Sequence, residues 1–382
     1  MDMLPRHKAI MAYTYTTPWL LVVAELLILV SITESKVPAI IVFGDSTVDA
    51  GNNNVYPTLL KSNFRPYGRD FAGGRPTGRF SNGRIPPDFI SEAFGLKPTV
   101  PAYLDPAYNI SDFATGVCFA SAGTGYDNAT SDKVIPMWKE LEYYKEYQNK
   151  LRAYVGKDKA NEILNEALYL MSLGTNDFLE NYYLSPKRQS QFTVQQYEDF
   201  LIGLAGNFIR ELYSLGVRKI SLTGLPPMGC LPLERTINIL GKNECLEKFN
   251  NVALEFNGKL NGLVERLNKE LPGLRLLSTD VYKILDQIIK KPSLYGEFIL
   301  LVLTFFSHNK YEMRCGLAGF DVVGKGCCAT GKFELSYLCN KLSPFTCSDA
   351  KKYVFWDAFH PTEKTSHIVV NSFLDKLRAY FR

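Results

Sequence analysis

Histidine is the scarce residue of this 382-residue chain. There are four, His7, His308, His360 and His367, and any chemistry that needs an imidazole must draw on them. A bias of charge is also missing: Lys+Arg 43 against Asp+Glu 39 leaves +4, too little to argue for nucleic acid. There is no low-complexity linker and no internal repeat. With 46% hydrophobic and 21% charged residues, a disordered or collagen-like polymer is excluded. No G-x-S-x-G is centred on Ser46, because Val48 stands two residues later, so the α/β-hydrolase elbow is absent. The run Gly319 to Gly326 nearly spells a phosphate-binding loop, but Gly326 stands where Ser or Thr is required. The clustered cysteines match no zinc pattern of two converging pairs. Nothing in the sequence calls for a cofactor or a metal.

Arg6 and Lys8 precede an apolar run from Trp19 to Val30, and small and polar residues follow at Ser31 to Ser35. That order describes a secretory signal peptide. The run is shorter than the roughly 20 residues of a membrane helix, and Glu25 interrupts it. The expectation is a cleaved leader at residues 1–35 and one domain at 36–382, against the competing reading of an uncleaved anchor or a buried helix. Two sequons, Asn109-Ile110-Ser111 and Asn128-Ala129-Thr130, offer glycan acceptors in a secreted chain. In an oxidising compartment Cys327, Cys328, Cys339 and Cys347 read as disulfide partners. Cys230 and Cys245 flank a Pro-rich loop that they can close. Spacing does not fix the pairing, and Cys118 and Cys315 complete the eight.

Five apolar runs read as strands: Ala39–Phe43, Val117–Ala120, Ala167–Leu173, Lys219–Thr223 and Arg275–Ser278. Ile135–Tyr154, Val194–Leu215, Leu246–Leu271 and Thr362–Tyr380 carry helical periodicity. Alternation of this kind predicts an α/β fold with a mainly parallel sheet covered on both faces, and a ligand site beyond the carboxyl ends of the strands.

The residues at those ends are Gly44-Asp45-Ser46, Ser121-Ala122-Gly123 and Gly174-Thr175-Asn176-Asp177, and Trp356-Asp357-Ala358-Phe359-His360-Pro361 lies near the C-terminus. A serine, an imidazole, an acid, an amide and glycine N–H groups are the parts of acyl transfer. Ser46 is the candidate nucleophile and needs a base. His7 lies in the expected leader, His308 in an anomalous segment, and His367 inside a helical pattern where a structural role fits. His360 precedes Pro361, which favours an extended or turn conformation, and Asp357 lies within one turn of it. Ser46 N–H, Gly123 N–H and the Asn176 amide are the candidate oxyanion donors. Taken singly, Gly44, Gly123 and Gly174 read equally well as turn glycines, and Asn176 as an Asx-turn. Their order on successive strand ends is the stronger signal. Tyr143-Tyr144 and Tyr182-Tyr183 read as packing residues.

These blocks resemble the plant secreted GDSL esterase/lipases of the SGNH-hydrolase superfamily, with the extracellular lipase subgroup suggested by Cys118. The resemblance rests on Phe43-Gly44-Asp45-Ser46 with Asp49 and Asn52-Asn53-Asn54, on Gly78 to Gly83, on the Gly123 and Gly174 blocks, on Leu225 to Cys230, and on Trp356 to Pro361. It runs from about Pro38 to Arg382. It implies a three-layer α/β/α flavodoxin-like fold, a triad of Ser46, Asp357 and His360, and oxyanion donors at Ser46, Gly123 and Asn176. It also implies an ester substrate and a cell-wall or apoplast location, while the charge balance and the short leader argue for no nucleic acid and no stable membrane insertion after leader removal. Thr47 replaces the Leu of the signature. An acyltransferase with the same triad and a non-catalytic secreted binding or defence protein are the alternatives. One stretch departs from the pattern: Glu297 to Gly319 interrupts the passage from Gly296 to Phe320. The whole segment, with its apolar Phe298–Phe306, reads as a retained intron or gene-model error, against a genuine lipid-contacting lid.

Overall fold

Ile40–Gly44 (β1) is an unbroken apolar run, the pattern of a parallel strand buried on both faces. In the computed structural model, which describes residues 37–295, 297–298 and 317–381, β1 is an interior strand of a five-stranded sheet. Its partners are Gly116–Cys118 (β2), Leu168–Ser172 (β3), Lys219–Thr223 (β4) and Arg275–Thr279 (β5), all parallel, in the order β2-β1-β3-β4-β5. Ile41 stands opposite Val117 on one side and Tyr169 on the other. The expected leader, residues 299–316 with most of the Phe298–Phe306 run, and Cys315 lie outside the described residues.

Alternation along β1 divides the core. Ile41 and Phe43 pack on one face with Tyr144 and Tyr147 from Met137–Val155 (α2), Ile209 from Val194–Ser214 (α4) and Phe256 from Glu247–Glu270 (α5). Lys157–Glu166 (α3) joins that layer through Ile163 and Leu164. Ile40 and Val42 face the other way, towards Phe89 and Ile90 of Pro86–Ala93 (α1) and Val370 and Leu377 of Glu363–Phe381 (α7). Helices on both faces of a parallel sheet give the expected three layers. Val281–Lys290 (α6) follows β5, its start capped by the Asp280 carboxylate on Lys283 N–H. A capping box opens α4: Thr193 Oγ1 accepts from Gln196 N–H, and Gln196 Oε1 accepts from Thr193 N–H.

Two further pairs lie outside this sheet. Glu297–Phe298 (β6) runs antiparallel to Leu317–Ala318 (β7), so the two ends of the anomalous segment pair with each other and not with the main sheet. Val322–Gly326 (β8) runs parallel to Tyr353–Phe355 (β9). Gly324, Lys325 and Gly326 of the near-phosphate loop are therefore strand residues.

Cys230 bonds Cys245, Cys327 bonds Cys347 and Cys328 bonds Cys339, while Cys118 is free and buried. The last two bridges flank β8–β9. Cys327 N–H donates to Phe355 C=O at 3.0 Å and Cys328 N–H to Trp356 C=O at 2.7 Å, so the bridged chain grips the backbone leading to His360. The Cys328–Cys339 loop separates its ends by 11 residues, and closing it restricts the unfolded chain by about 3 kcal/mol. The double variant Cys328→Ser/Cys339→Ser should therefore shift the urea unfolding midpoint down by an amount equivalent to about 3 kcal/mol. An unchanged midpoint under non-reducing conditions would contradict it.

Candidate active site

The strand order reverses direction between β1 and β3, and such a switch point opens a crevice at the carboxyl ends. The chain after β1 turns sharply there. Gly44 has φ +147°, and a Cβ on it would run into the Ser172 carbonyl oxygen of β3. Gly44 N–H donates to Glu140 Oε2 at 3.0 Å and Asp45 N–H to Ser172 C=O at 3.1 Å. Asp45 Oδ1 then accepts from Thr47 N–H at 2.9 Å and Thr47 Oγ1 at 2.6 Å, which closes the turn around Ser46.

Ser46 Oγ lies 2.7 Å from His360 Nε2, across 314 residues of sequence. His360 Nδ1 lies 2.9 Å from Asp357 Oδ2 and 3.0 Å from Oδ1. A carboxylate accepts, so Nδ1 carries the proton and Nε2 is left to accept from the serine. All three side chains are buried. Asp357 Oδ1 also takes the N–H groups of Phe359 and His360, at 2.9 and 2.7 Å, so one acid shapes the turn and orients the ring. His367 stands apart on α7, exposed, bonded to Asn371 and packed on Phe89.

Gly123 and Asn176 line the same small cleft as Ser46 and His360, with Phe80, Glu180 and Phe359 around them. Gly123 has φ +89°, and a Cβ there would strike Leu60. The N–H groups of Ser46 and Gly123 have no hydrogen-bond acceptor among the described residues. Asn176 Nδ2 donates one N–H to Thr124 C=O at 3.0 Å, which fixes the amide and leaves its second N–H for a ligand. Three donors that converge beside a serine–imidazole pair can hold an oxygen that becomes negative. Among the described residues no group of acids, histidines and cysteines is arranged to hold a metal ion.

Several participants escape a linear reading. Tyr67 OH donates to Asp357 Oδ2 at 2.8 Å and accepts from Ser336 N–H at 3.0 Å, and burial beside that acid pushes its pKa well above the ordinary value. Phe80 lays its ring 4.9 Å from the His360 imidazole. Residues Asp177–Tyr183 form a π-helix, a rare element that gathers at functional sites, directly after Asn176. Only the capping of Asp357 by its own turn was foreshadowed by sequence, through the three-residue spacing to His360. The sequon residues Asn109 and Asn128 are exposed, as glycan acceptors must be. Tyr144 and Tyr182 are buried in the core and Tyr143 and Tyr183 pack against it.

Residues 40–373 match the GDSL-like lipase/acylhydrolase family. Three GDSL esterase/lipases of Arabidopsis thaliana are 58%, 56% and 54% identical to this chain, over 91%, 93% and 97% of it and 93%, 95% and 100% of their own lengths. The chain belongs to the GDSL-like lipase/acylhydrolase family.

The site buries an unusual number of acids. Desolvation outweighs the hydrogen bonds to Asp45 and Asp49 and lifts both to about 6. It lifts Asp177 to about 7 and Glu140 well above its usual range. A carboxyl whose folded pKa exceeds its unfolded one binds protons more tightly in the fold. Its stabilisation is complete below the unfolded value near 4 and is lost as pH rises through the folded values of about 6–7. The melting temperature should therefore be higher at pH 5 than at pH 7.5 at fixed ionic strength. A higher value at pH 7.5 would show that other groups dominate the linkage.

Proposed function

We propose that the chain is a secreted carboxylic-ester hydrolase of esterase/lipase type. The observation that carries the reading is the continuous Ser46–His360–Asp357 chain of hydrogen bonds beside the free N–H groups of the cleft. Ser46 Oγ attacks the ester carbonyl carbon as His360 Nε2 takes its proton. The carbonyl oxygen becomes an oxyanion held by Ser46 N–H, Gly123 N–H and Asn176 Nδ2. The tetrahedral centre collapses, the C–O bond to the alcohol breaks, and His360 returns the proton to the leaving oxygen. Water then attacks the acyl-enzyme, giving a proton to His360, and collapse releases the acid and restores Ser46. Asp357 stabilises the imidazolium in both halves. No step needs a metal or a cofactor.

The same site can pass the acyl group to an alcohol, and added alcohol during the assay measures that share. A purely binding protein has no use for the full constellation. Secretion, with residues 36–382 as the mature domain and Asn109 and Asn128 glycosylated, is supported by the leader-like N-terminus and by three disulfides, which persist in oxidising compartments. No helix among the described residues is long and apolar enough to cross a membrane.

The test is hydrolysis of an ester series by purified protein. Ser46→Ala should lower kcat by about 10⁴-fold or more while leaving the melting temperature near wild type. His360→Ala should be comparably damaging and His367→Ala mild. Full turnover by folded Ser46→Ala would remove the nucleophile assignment, and equal losses at both histidines would remove the choice of base.

A further inference from the structure

Two unlike spaces border the cleft. One, which shares Phe359 with the cleft, is an apolar chamber of about 110 Å³ lined also by Val48, Ile90, Leu170, Leu225 and Val369, among others. The other is an open groove of about 660 Å³ whose polar side chains include Thr58, Thr130, Asp132, Lys133 and Ser185. Leu60, Gly123 and Glu180 line both the cleft and this groove. Glu180 follows Asn176 by four residues, and both line the cleft. Its carboxylate has no hydrogen-bond or ion-pair partner among the described residues. The proposed catalytic steps do not use it.

We propose that Glu180 binds the alcohol half of the substrate in this groove, and that this half is a polyhydroxy alcohol such as the glycerol or sugar of an acylated polyol. The inference rests on the ester-hydrolase reading and narrows its substrate class. The apolar chamber suits the acyl chain, which leaves the groove, with its mixture of apolar and polar side chains, for the alcohol. A simple alkyl ester seated there would shed the water around Glu180 and supply no donor in return, a cost that falls on binding. A polyol retains a second hydroxyl after esterification, and that O–H can donate to the carboxylate. A cationic alcohol fits less well, because burial and the Asp45 carboxylate push Glu180 up to about 7 despite the nearby His360. A carboxyl that is partly neutral near pH 7 still hydrogen-bonds a hydroxyl in either state, but holds a cation only when ionised.

The experiment compares kcat/KM for monooctanoylglycerol, a monooctanoyl sugar ester and ethyl octanoate in wild type, Glu180→Ala and Glu180→Gln, with Ser46→Ala as the blank. Wild type should prefer a polyol ester. Glu180→Ala should reduce the polyol-to-ethyl ratio by about tenfold or more, the effect expected of a hydrogen bond to a charged group. The near-isosteric Glu180→Gln should recover part of the ratio, since its amide oxygen still accepts, and it guards against a folding defect in the alanine variant. A ratio unchanged by Glu180→Ala, or a wild type that favours neither polyol ester, overturns the proposal while Ser46-dependent turnover stands. Turnover that survives Ser46→Ala would instead overturn the hydrolase reading beneath it.

Discussion

The cleft depends first on backbone held against backbone. Two of its three proposed oxyanion donors are main-chain N–H groups, which no rotamer can aim, so the loop after β1 must be locked to the loop after β2. Asp49 does this with one carboxylate: Oδ1 takes Gly51 and Asn52 N–H at 2.7 and 2.8 Å, and Oδ2 reaches across to Ala122 N–H at 3.1 Å, one residue before Gly123. Asn52 Nδ2 donates to Cys118 and Ala120 C=O, and Asn53 Nδ2 donates to Ala122 C=O. Ser121 Oγ donates to Asn53 Oδ1 at 2.6 Å. The bonds are buried, so losing one partner would strand the other without water. The Asp49 and Asn52-Asn53 signature thus reads as a fastening of the site and not as chemistry.

A second fastening brings in the far end of the chain. Arg79 is buried and doubly bonded to Asp88, at 2.8 Å to each oxygen, and its remaining donors reach Ala50 and Val100 C=O. That fork ties α1 to the loop that continues from Ser46. The next residue, Phe80, supports the imidazole, and Ser81 Oγ donates to Pro361 C=O at 3.2 Å. On the opposite side Trp356 N–H donates to His360 C=O at 2.7 Å, so the Asp357–His360 turn is closed on itself before the bridged cysteines and Tyr67 hold it. The histidine reaches the serine because each of these contacts belongs to a different stretch of chain.

The parts that sequence makes legible are those with local physical causes. Ile40 to Phe43 is apolar at every position because both faces are covered, and the run names β1 to within a residue. Lys219–Thr223 is recovered with its ends, and α2, α4, α5 and α7 to within two residues. Val117–Ala120 is read late because pairing with β1 begins at Gly116, a residue without apolar character of its own. Ser46, His360, Gly123 and Asn176 line one cleft, with Asp357 bonded behind His360, and each of the five stands at a strand end or a turn that the sequence announces. Tyr67 and Glu180 carry no such mark. Their meaning arises only when residues 290 positions apart meet, as Tyr67 and Asp357 do, or when the chain after Asn176 winds as a π-helix. The cysteine pairing is likewise invisible: Cys327 and Cys328 are adjacent, and only the fold sends one to Cys347 and the other to Cys339.

Strand order explains why the proposed nucleophile follows β1. A strand inside a sheet has a neighbour on each side, and only its tip can receive donors from two loops at once. The loop after β2 delivers Gly123 from one side, and the loop after β3 delivers Asn176 from the other. The connection after β1 goes to β2 and the next one crosses back to β3, so neither loop covers the gap between them. A serine at the end of β2 or β5 would sit at an edge, with a donor loop on one side only. The remaining open side is filled by the β8–β9 arm, which need not join the sheet and so is free to bring an acid and an imidazole down over the gap. The topology therefore supplies the crevice, the buried amides and acids hold its walls in register, and the arm completes the chemistry from outside the sheet.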